Sequence, residues 1–539
     1  MARIVLTCDE TLTSTYLNVP LLDLFGCAPV ERMPGFVYRM LDTQVPEIDG
    51  ILTVAPYSLR KFEAAVFQGG YSDVVVAHPR CVELFVDNGT TIVGISAMDP
   101  MGRGPVSMMF TNGGRYTAYT KRKFTDLVGK LDSLRKKRNL SYRIVVGGPG
   151  ASQLTASDDW KKYGIDHIVL GEVDHIAGQL LQEIEKGDGA DIIRISGFPN
   201  IDQIPAIVAP SYKGLVEVTR GCGRNCRYCD PNLRRIRYVS TDVLFREIAI
   251  NVSAGMTNAW LHSDDIFLYR LEDHRSFYPN SGEIVSLFKS VMARPGVTFA
   301  NPSHGSLAPC AADPGMIRGI SEAVGAGPSK WIGIQMGLET ASANLMRKHM
   351  ENKVKPYSPD EWPEVVIEGT YVLNSNYWFP AFTAILGLPG ETKEDSLDTA
   401  RLILTMERFL KDNLGDRAHF TVTPLAFTPW GTLGDDAPFD LKEQLTEERF
   451  LLLYHSWKHV AREATSLAPR LAGDSNMIMR AFFPFGRLGM WAILSFMRRW
   501  GVRMGYDPDK RLDPLDVDIR LPVTPKGESS HRPAMELRT

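Results

Sequence analysis

Three cysteines fall within eight residues, Cys222-Gly-Arg-Asn-Cys226-Arg-Tyr-Cys229, separated by three residues and then by two. Thiolates this close on one loop can each hold a different iron of a cubane [4Fe–4S] cluster, leaving the fourth iron open to a small molecule. A structural zinc site wants a fourth Cys or His at a paired spacing, and the neighbouring sequence supplies none. A disulfide framework needs an even count and an oxidising compartment. The plain alternative is three buried structural cysteines. A cluster loop needs a rigid support with open space beside it, so the flanking pattern matters most.

That pattern is strand–helix alternation on both sides, which makes the chain α/β. Before the loop, strands are predicted at Arg3–Cys8, Gly50–Pro56, Asp73–His78, Thr91–Ser96, Tyr142–Gly147 and Asp166–Gly171. They predict a doubly wound, Rossmann-like parallel sheet over residues 1–200, whose ligands belong beyond the carboxyl ends of the strands. Residues 186–212, with Pro199, Pro205 and Pro210, read as a connector. Further strands are predicted at Leu215–Thr219, Ala259–His262, Val297–Asn301, Trp331–Met336, Ala381–Leu386 and Phe420–Leu425. Six such units over 201–430 predict a partial (β/α)6 barrel with its chemistry at the C-terminal strand ends. The region 431–539 reads as mainly helical. Glu443–Thr465 is an amphipathic helix. Arg480–Trp500 mixes aromatics, methionines and arginines, which suits either a membrane surface or a helix that closes the barrel or holds a substrate, the second being favoured. From Pro522 the chain is rich in Pro, Ser and charge and is expected to be loosely ordered.

Composition excludes some classes. Apolar residues at 44% and charged residues at 23% are ordinary for a soluble globular protein, and a net charge of −3 argues against nucleic acid as a partner. No segment is long enough to span a bilayer and no signal-peptide core is visible, so a cytoplasmic protein without stable membrane insertion is expected. Cys8, Cys27, Cys81 and Cys310 are scattered and read as small buried hydrophobes.

The CxxxCxxC spacing, with the aromatic Tyr228 before the last cysteine, resembles the radical S-adenosylmethionine (SAM) enzymes. The resemblance implies that Cys222, Cys226 and Cys229 hold the cluster and that SAM chelates the open iron and is cleaved there by one electron. Asp264 and Asp265 follow the second barrel strand; an acidic pair suits the SAM ammonium, and Ser263-Asp264-Asp265 equally suits a helix N-cap. The run Gln335-Met-Gly-Leu-Glu339-Thr-Ala-Ser342 resembles the family's Gly-x-Glu-Ser element near SAM, with Thr340 in place of Ser. Gly387-Leu-Pro389-Gly-Glu-Thr392 matches a turn whose backbone borders the adenine.

The preceding sheet, with Gly147-Gly148-Pro149 and Gly171-Glu172 after two of its strands, resembles the cobalamin-binding domain of the cobalamin-dependent radical SAM family. Ser96, Met98, Asp99 and Gly102, in the loop after the fourth strand, complete the implied cobalamin site, and the glycines are expected to let backbone approach a bulky ligand. No Asp-x-His-x-x-Gly is present: in Asp174-His175 the histidine stands one position early, and His78 lacks the motif. Cobalamin bound without a histidine on its lower face is therefore expected. The resemblance implies a C-methyltransferase that moves a methyl from methylcobalamin to an unactivated sp3 carbon. Non-methylating radical chemistry, such as cyclisation or ring rearrangement of a small molecule or lipid, is the alternative. A cluster or cobalamin sensor of another class would not need the SAM-facing loops. The loop Gly94–Pro105 and Asp230-Pro-Asn-Leu-Arg-Arg resemble archaeal members, some of which modify methyl-coenzyme M reductase. That implies a peptide or protein substrate, with a glutamine of that enzyme as candidate, and an electron donor such as ferredoxin or flavodoxin. No catalytic acid or base is implied.

Overall fold

A computed structural model describes residues 2–18, 20–156, 158–471 and 477–520. Its first part contains β1 (Ile4–Cys8), α1 (Tyr57–Gln68), β2 (Val74–Val76), β3 (Ile92–Ser96), α2 (Pro105–Phe110), α3 (Tyr119–Arg138), β4 (Arg143–Gly147), β5 (His167–Leu170), α4 (Ala177–Lys186) and β6 (Ile192–Arg194). The strands form one parallel sheet in the order β2-β1-β3-β4-β5-β6. Every residue of β1 is buried, because alternate side chains serve opposite faces, both covered by helices. Val5, Val93, Ile95 and Val146 pack with Phe124, Leu127, Val128 and Leu131 of α3. Ile4, Leu6, Val76 and Val145 pack with Leu59 and Val66 of α1 and with Leu180, Leu181 and Ile184 of α4.

Two expectations fail here. The stretch Gly50–Pro56 adds no strand to the sheet. Ile51–Leu52 pairs antiparallel with Glu47–Ile48 across an Asp49-Gly50 turn with both φ values positive, and Pro56 then caps α1. In its place β6 extends the sheet from within the predicted connector.

The second part runs β7 (Leu215–Glu217), α5 (Thr241–Ser253), β8 (Asn258–His262), α6 (Ser281–Met292), β9 (Phe299–Pro302), α7 (Pro314–Val324), β10 (Ile332–Glu339), α8 (Trp362–Ser375), β11 (Trp378–Leu386), α9 (Lys393–Leu414) and β12 (Thr421–Ala426). Parallel pairing joins β7-β8-β9 and β10-β11-β12. A single parallel bridge, His304 with Gln335, links the two triplets into one curved sheet in chain order. Among the described residues no pairing returns β12 to β7. Instead α2, from the first part, packs on β12, with Met109 in the barrel's own core and Phe110 against Trp457 at a ring distance of 5.8 Å.

Two long helices follow, α10 (Glu447–Leu471) and α11 (Met477–Arg503). α10 packs on α9 and β12, and α11 on α10. Beyond them Leu512, Leu515, Val517 and Ile519 lie against the barrel core, and the Leu515 amide donates to Thr405 Oγ1 at 2.9 Å. The stretch from Pro522 lies outside the described residues. No helix among them is long and apolar enough to cross a membrane.

Candidate cluster and cofactor site

The cysteine loop leaves the end of β7 and is held from several sides. Gly221 at φ +84° turns the chain where a Cβ would sit 2.7 Å from the carbonyls of Arg234 and Arg235. The Gly221 amide donates to Asp264 Oδ2 at 2.9 Å. Asn225 takes a left-handed φ of +57°, which wraps the loop between Cys222 and Cys226. The Arg227 amide donates to His349 O at 2.8 Å, and the Thr432 amide donates to Arg227 O at 2.8 Å. Cys222 and Cys226 are buried and Cys229 half-buried. Burial pushes all three thiols up, Cys229 to about 12, while Lys353 and Arg224 act on Cys226 in the opposite sense. Among the described residues no three His, Cys, Asp or Glu side chains converge as the ligands of one metal ion do. A cubane fits that spacing better than zinc does, because each thiolate then binds a different iron.

Arg224, inside the loop, is buried and reaches Asp265 Oδ2 at 2.6 Å and Asn352 O at 2.7 Å. Asp265 also accepts from Ser306 Oγ at 2.5 Å and caps the following turn through the Phe267 amide. The acidic pair thus divides its work. Asp265 is taken up by the N-cap and by Arg224, whereas Asp264 accepts from the Gly221 amide at the root of the cluster loop.

The inner faces of the barrel strands are not filled by large apolar side chains. On β10, Ile332, Ile334, Met336 and Leu338 pack outward in the core, while Gly333 and Gln335 on the inner side are exposed. Thr383 of β11 and Thr423 of β12 continue that inner row. A closed barrel fills its centre with bulky branched side chains, and these small or polar residues suit a ligand instead. At one wall stands Glu339, with φ +63°, accepting from Tyr228 Oη at 3.0 Å, Lys353 Nζ at 2.7 Å and Thr383 Oγ1 at 3.0 Å. Burial would lower Lys353, but Glu339 beside it outweighs this and raises it, so the lysine stays charged. Beside β10, where His304 bridges Gln335, His262 and His304 stand edge to face at 6.1 Å, both with Nδ1 near Ser303 Oγ. Burial, helped by His262, brings His304 down to about 4, so it is neutral at pH 7. The Gly387–Thr392 turn joins cluster loop and C-terminal helix. Pro389 O meets His349 Nε2 at 2.7 Å, Glu391 Oε2 accepts from the Gly387 amide at 2.8 Å, and Arg449 of α10 reaches Glu391 at 2.9 Å.

The carboxyl edge of the first sheet faces this mouth. Met98, Gly148, Pro149 and Gly171 are exposed there, beside the half-buried Asp99, Glu172 and Asp174. The glycines, however, serve packing within the protein. A Cβ on Gly148 would lie 2.8 Å from Ala97 O, one on Gly102 2.9 Å from Ala118 Cβ, and one on Gly171 2.7 Å from Ile195 O. Asp99 folds its own loop, accepting from the Gly104 amide and Gln153 Nε2, both at 2.8 Å. Ser96 Oγ lies 3.0 Å from Ser58 Oγ, and Gly147 closes β4. Glu172 binds Arg220 at 3.0 Å and Arg237 at 2.7 Å. Arg220, one residue before Gly221, also holds Asp174 at 2.9 Å and Glu217 at 2.8 Å. These pairs fasten the sheet's edge to the root of the cluster loop. Against a burial that would raise it, Arg220 brings Glu217 down to about 2.

Arg220, Arg224, Lys353, His262 and His304 were not singled out from sequence. The two histidines could have been, since each stands at the carboxyl end of a barrel strand; the three cations carry no local signal.

No protein-family model matches the chain. It is 24% identical over 360 residues to tRNA-2-methylthio-N(6)-dimethylallyladenosine synthases of Shigella sonnei and Escherichia coli, covering 64% of this chain and 68% of each relative. Its fold is similar to that of the radical S-adenosylmethionine methyltransferase TsrM from Kitasatospora setae. The TM-score is 0.50 at 15% identity, over 80% of this chain and 75% of that one.

Proposed function

We propose that the chain is a cobalamin-dependent radical SAM C-methyltransferase. The carrying observation is the junction itself: a three-thiol loop on an open partial barrel, with the carboxyl edge of a parallel sheet fastened to the root of that loop by Arg220 through Glu172 and Asp174. Cys222, Cys226 and Cys229 would hold the cluster. Glu339, Asp264, Gln335 and the Gly387–Pro389 backbone would border SAM, and Met98, Gly148, Pro149 and Gly171 would border cobalamin. When bound, the cluster with SAM supplies a carbon-centred radical and cobalamin the methyl group. The protein's part is to hold them in line over one substrate carbon and to keep water out. Lys353 and Tyr228 orient the Glu339 carboxylate, and the neutral His304 adds no charge to the barrel wall. A low-potential one-electron donor, a ferredoxin or flavodoxin, would complete the cycle.

The curated relatives suggest thiolation as another outcome. That chemistry needs a sulfur source, and the remaining cysteines, Cys8, Cys27, Cys81 and Cys310, are scattered along the sequence. Anaerobic reconstitution with iron, sulfide, SAM and methylcobalamin tests the reading. Methyl transfer forms 5′-deoxyadenosine and S-adenosylhomocysteine in equal amounts, whereas non-methylating chemistry forms only the first. Absence of cobalamin binding would remove the methyltransferase assignment and leave a radical SAM enzyme of another type.

A further inference from the structure

The chain carries a net charge of −3, yet Met477–Arg503 holds five arginines and no Asp, Glu or Lys. The same helix is rich in Phe, Trp, Met, Ile and Leu. One face of its described part is anchored: Leu494, Met497 and Trp500 pack on the core, and Trp500 meets Phe450 at a ring distance of 5.9 Å. A Cβ on Gly501 would fall 2.2 Å from the Phe450 ring, so α11 lies close on α10. The remaining surface is the unusual one. Leu488 is 60% exposed, Trp491 66%, Phe496 61% and Val502 56%. Soluble monomers seldom leave large apolar side chains together in water. Arg498, Arg499 and Arg503 share this surface, the first paired with Asp509. They gather in the last turns, while Leu488, Trp491 and Phe496 precede them.

We infer that α11 docks the enzyme on an anionic lipid surface. The order of side chains fits that occupant. Large apolar and indole groups enter the acyl boundary while arginines stay at phosphate depth. The outward face of a lone helix is convex and offers no groove to seat a peptide backbone. No helix among the described residues is apolar and long enough to cross a bilayer, so the helix lies on the surface. Docking of this kind does not depend on the reaction, and its test reads binding alone.

The full-length holoenzyme is sedimented with vesicles of phosphatidylglycerol and phosphatidylcholine, and with phosphatidylcholine alone. Binding is expected to the anionic vesicles and to weaken as salt rises. Trp491→Ala with Phe496→Ala should weaken it at least about tenfold, since two large apolar groups no longer leave water. Arg499→Glu with Arg503→Glu should weaken it at least about tenfold and flatten the salt dependence. Brominated lipid should quench tryptophan emission in the native protein and less in Trp491→Phe. All these side chains are exposed, so unchanged circular dichroism and iron content exclude a folding defect. Absence of vesicle binding, or binding indifferent to both double variants, overturns the inference. Absence of vesicle binding combined with lost affinity of the Trp491→Ala variant for a peptide substrate would overturn it in favour of a peptide-holding face.

Discussion

Arg220→Met should show how tightly the two halves are fastened. The guanidinium contacts Glu217, Glu172 and Asp174 within 3.0 Å, and its own side chain is 11% exposed. Methionine keeps much of the packing but leaves three buried carboxylates short of a cation. The size of the effect follows from Glu217, which Arg220 holds near 2 against an ordinary 4.5. A depression of that size is linked to roughly 3 kcal/mol. The folded-state pKa lies below the unfolded one, so this stability is fully present above pH 4.5 and is lost as pH falls toward 2. Removing one member of a buried pair costs about 3–5 kcal/mol in other proteins, which agrees. Urea unfolding at pH 7 should therefore show the variant less stable by about 3 kcal/mol, with the gap narrowing at pH 3 because Glu217 of the unfolded chain is by then protonated. Arg220→Lys should restore part of the loss. A variant within about 1 kcal/mol of the native protein at pH 7, or a gap that widens in acid, would refute the reasoning.

Cys226→Ala should lose iron and all 5′-deoxyadenosine formation, because one thiolate of the cluster loop is gone; iron analysis and product chromatography check it, and full iron retention would move the cluster elsewhere. Lys353→Met leaves Glu339 buried without its cation and should cost about 3 kcal/mol in urea unfolding. In Lys353→Met/Glu339→Gln stability should return while SAM affinity, read by equilibrium dialysis, does not; recovery of both would make the pair purely structural. Cobalamin bound to the protein should give a cob(II)alamin EPR spectrum without nitrogen splitting from an axial imidazole. His78 is buried, and its Nδ1 accepts from the Arg80 amide, so a clear imidazole signal would contradict the expected lower face.

The parts legible in the sequence were those whose cause is local. Strand positions follow from runs of apolar residues with period two, and all six barrel strands lie within a few residues of where that pattern puts them. The cysteine spacing and the Gly387–Thr392 turn are likewise written within a few residues of chain. Ser263-Asp264-Asp265 could be read two ways, and for Asp265 the fold chose the N-cap, with Arg224 on the same carboxylate. Gly148 and Gly171 were legible as glycines but not for their reason, which is the approach of Ala97 and Ile195 from neighbouring loops. The strand β6 escaped notice because three residues between prolines and glycines carry too little periodicity. Distant charge pairs were beyond reach altogether. Arg220 meets Asp174 across 46 residues, and Lys61 meets Glu247 across 186. The sequence contains many arginines and carboxylates, and nothing in their spacing tells which will be buried face to face. Burial alone selects among them, since an unpaired charge out of water is too costly to persist. That selection exists only once the sheet and the barrel have packed together.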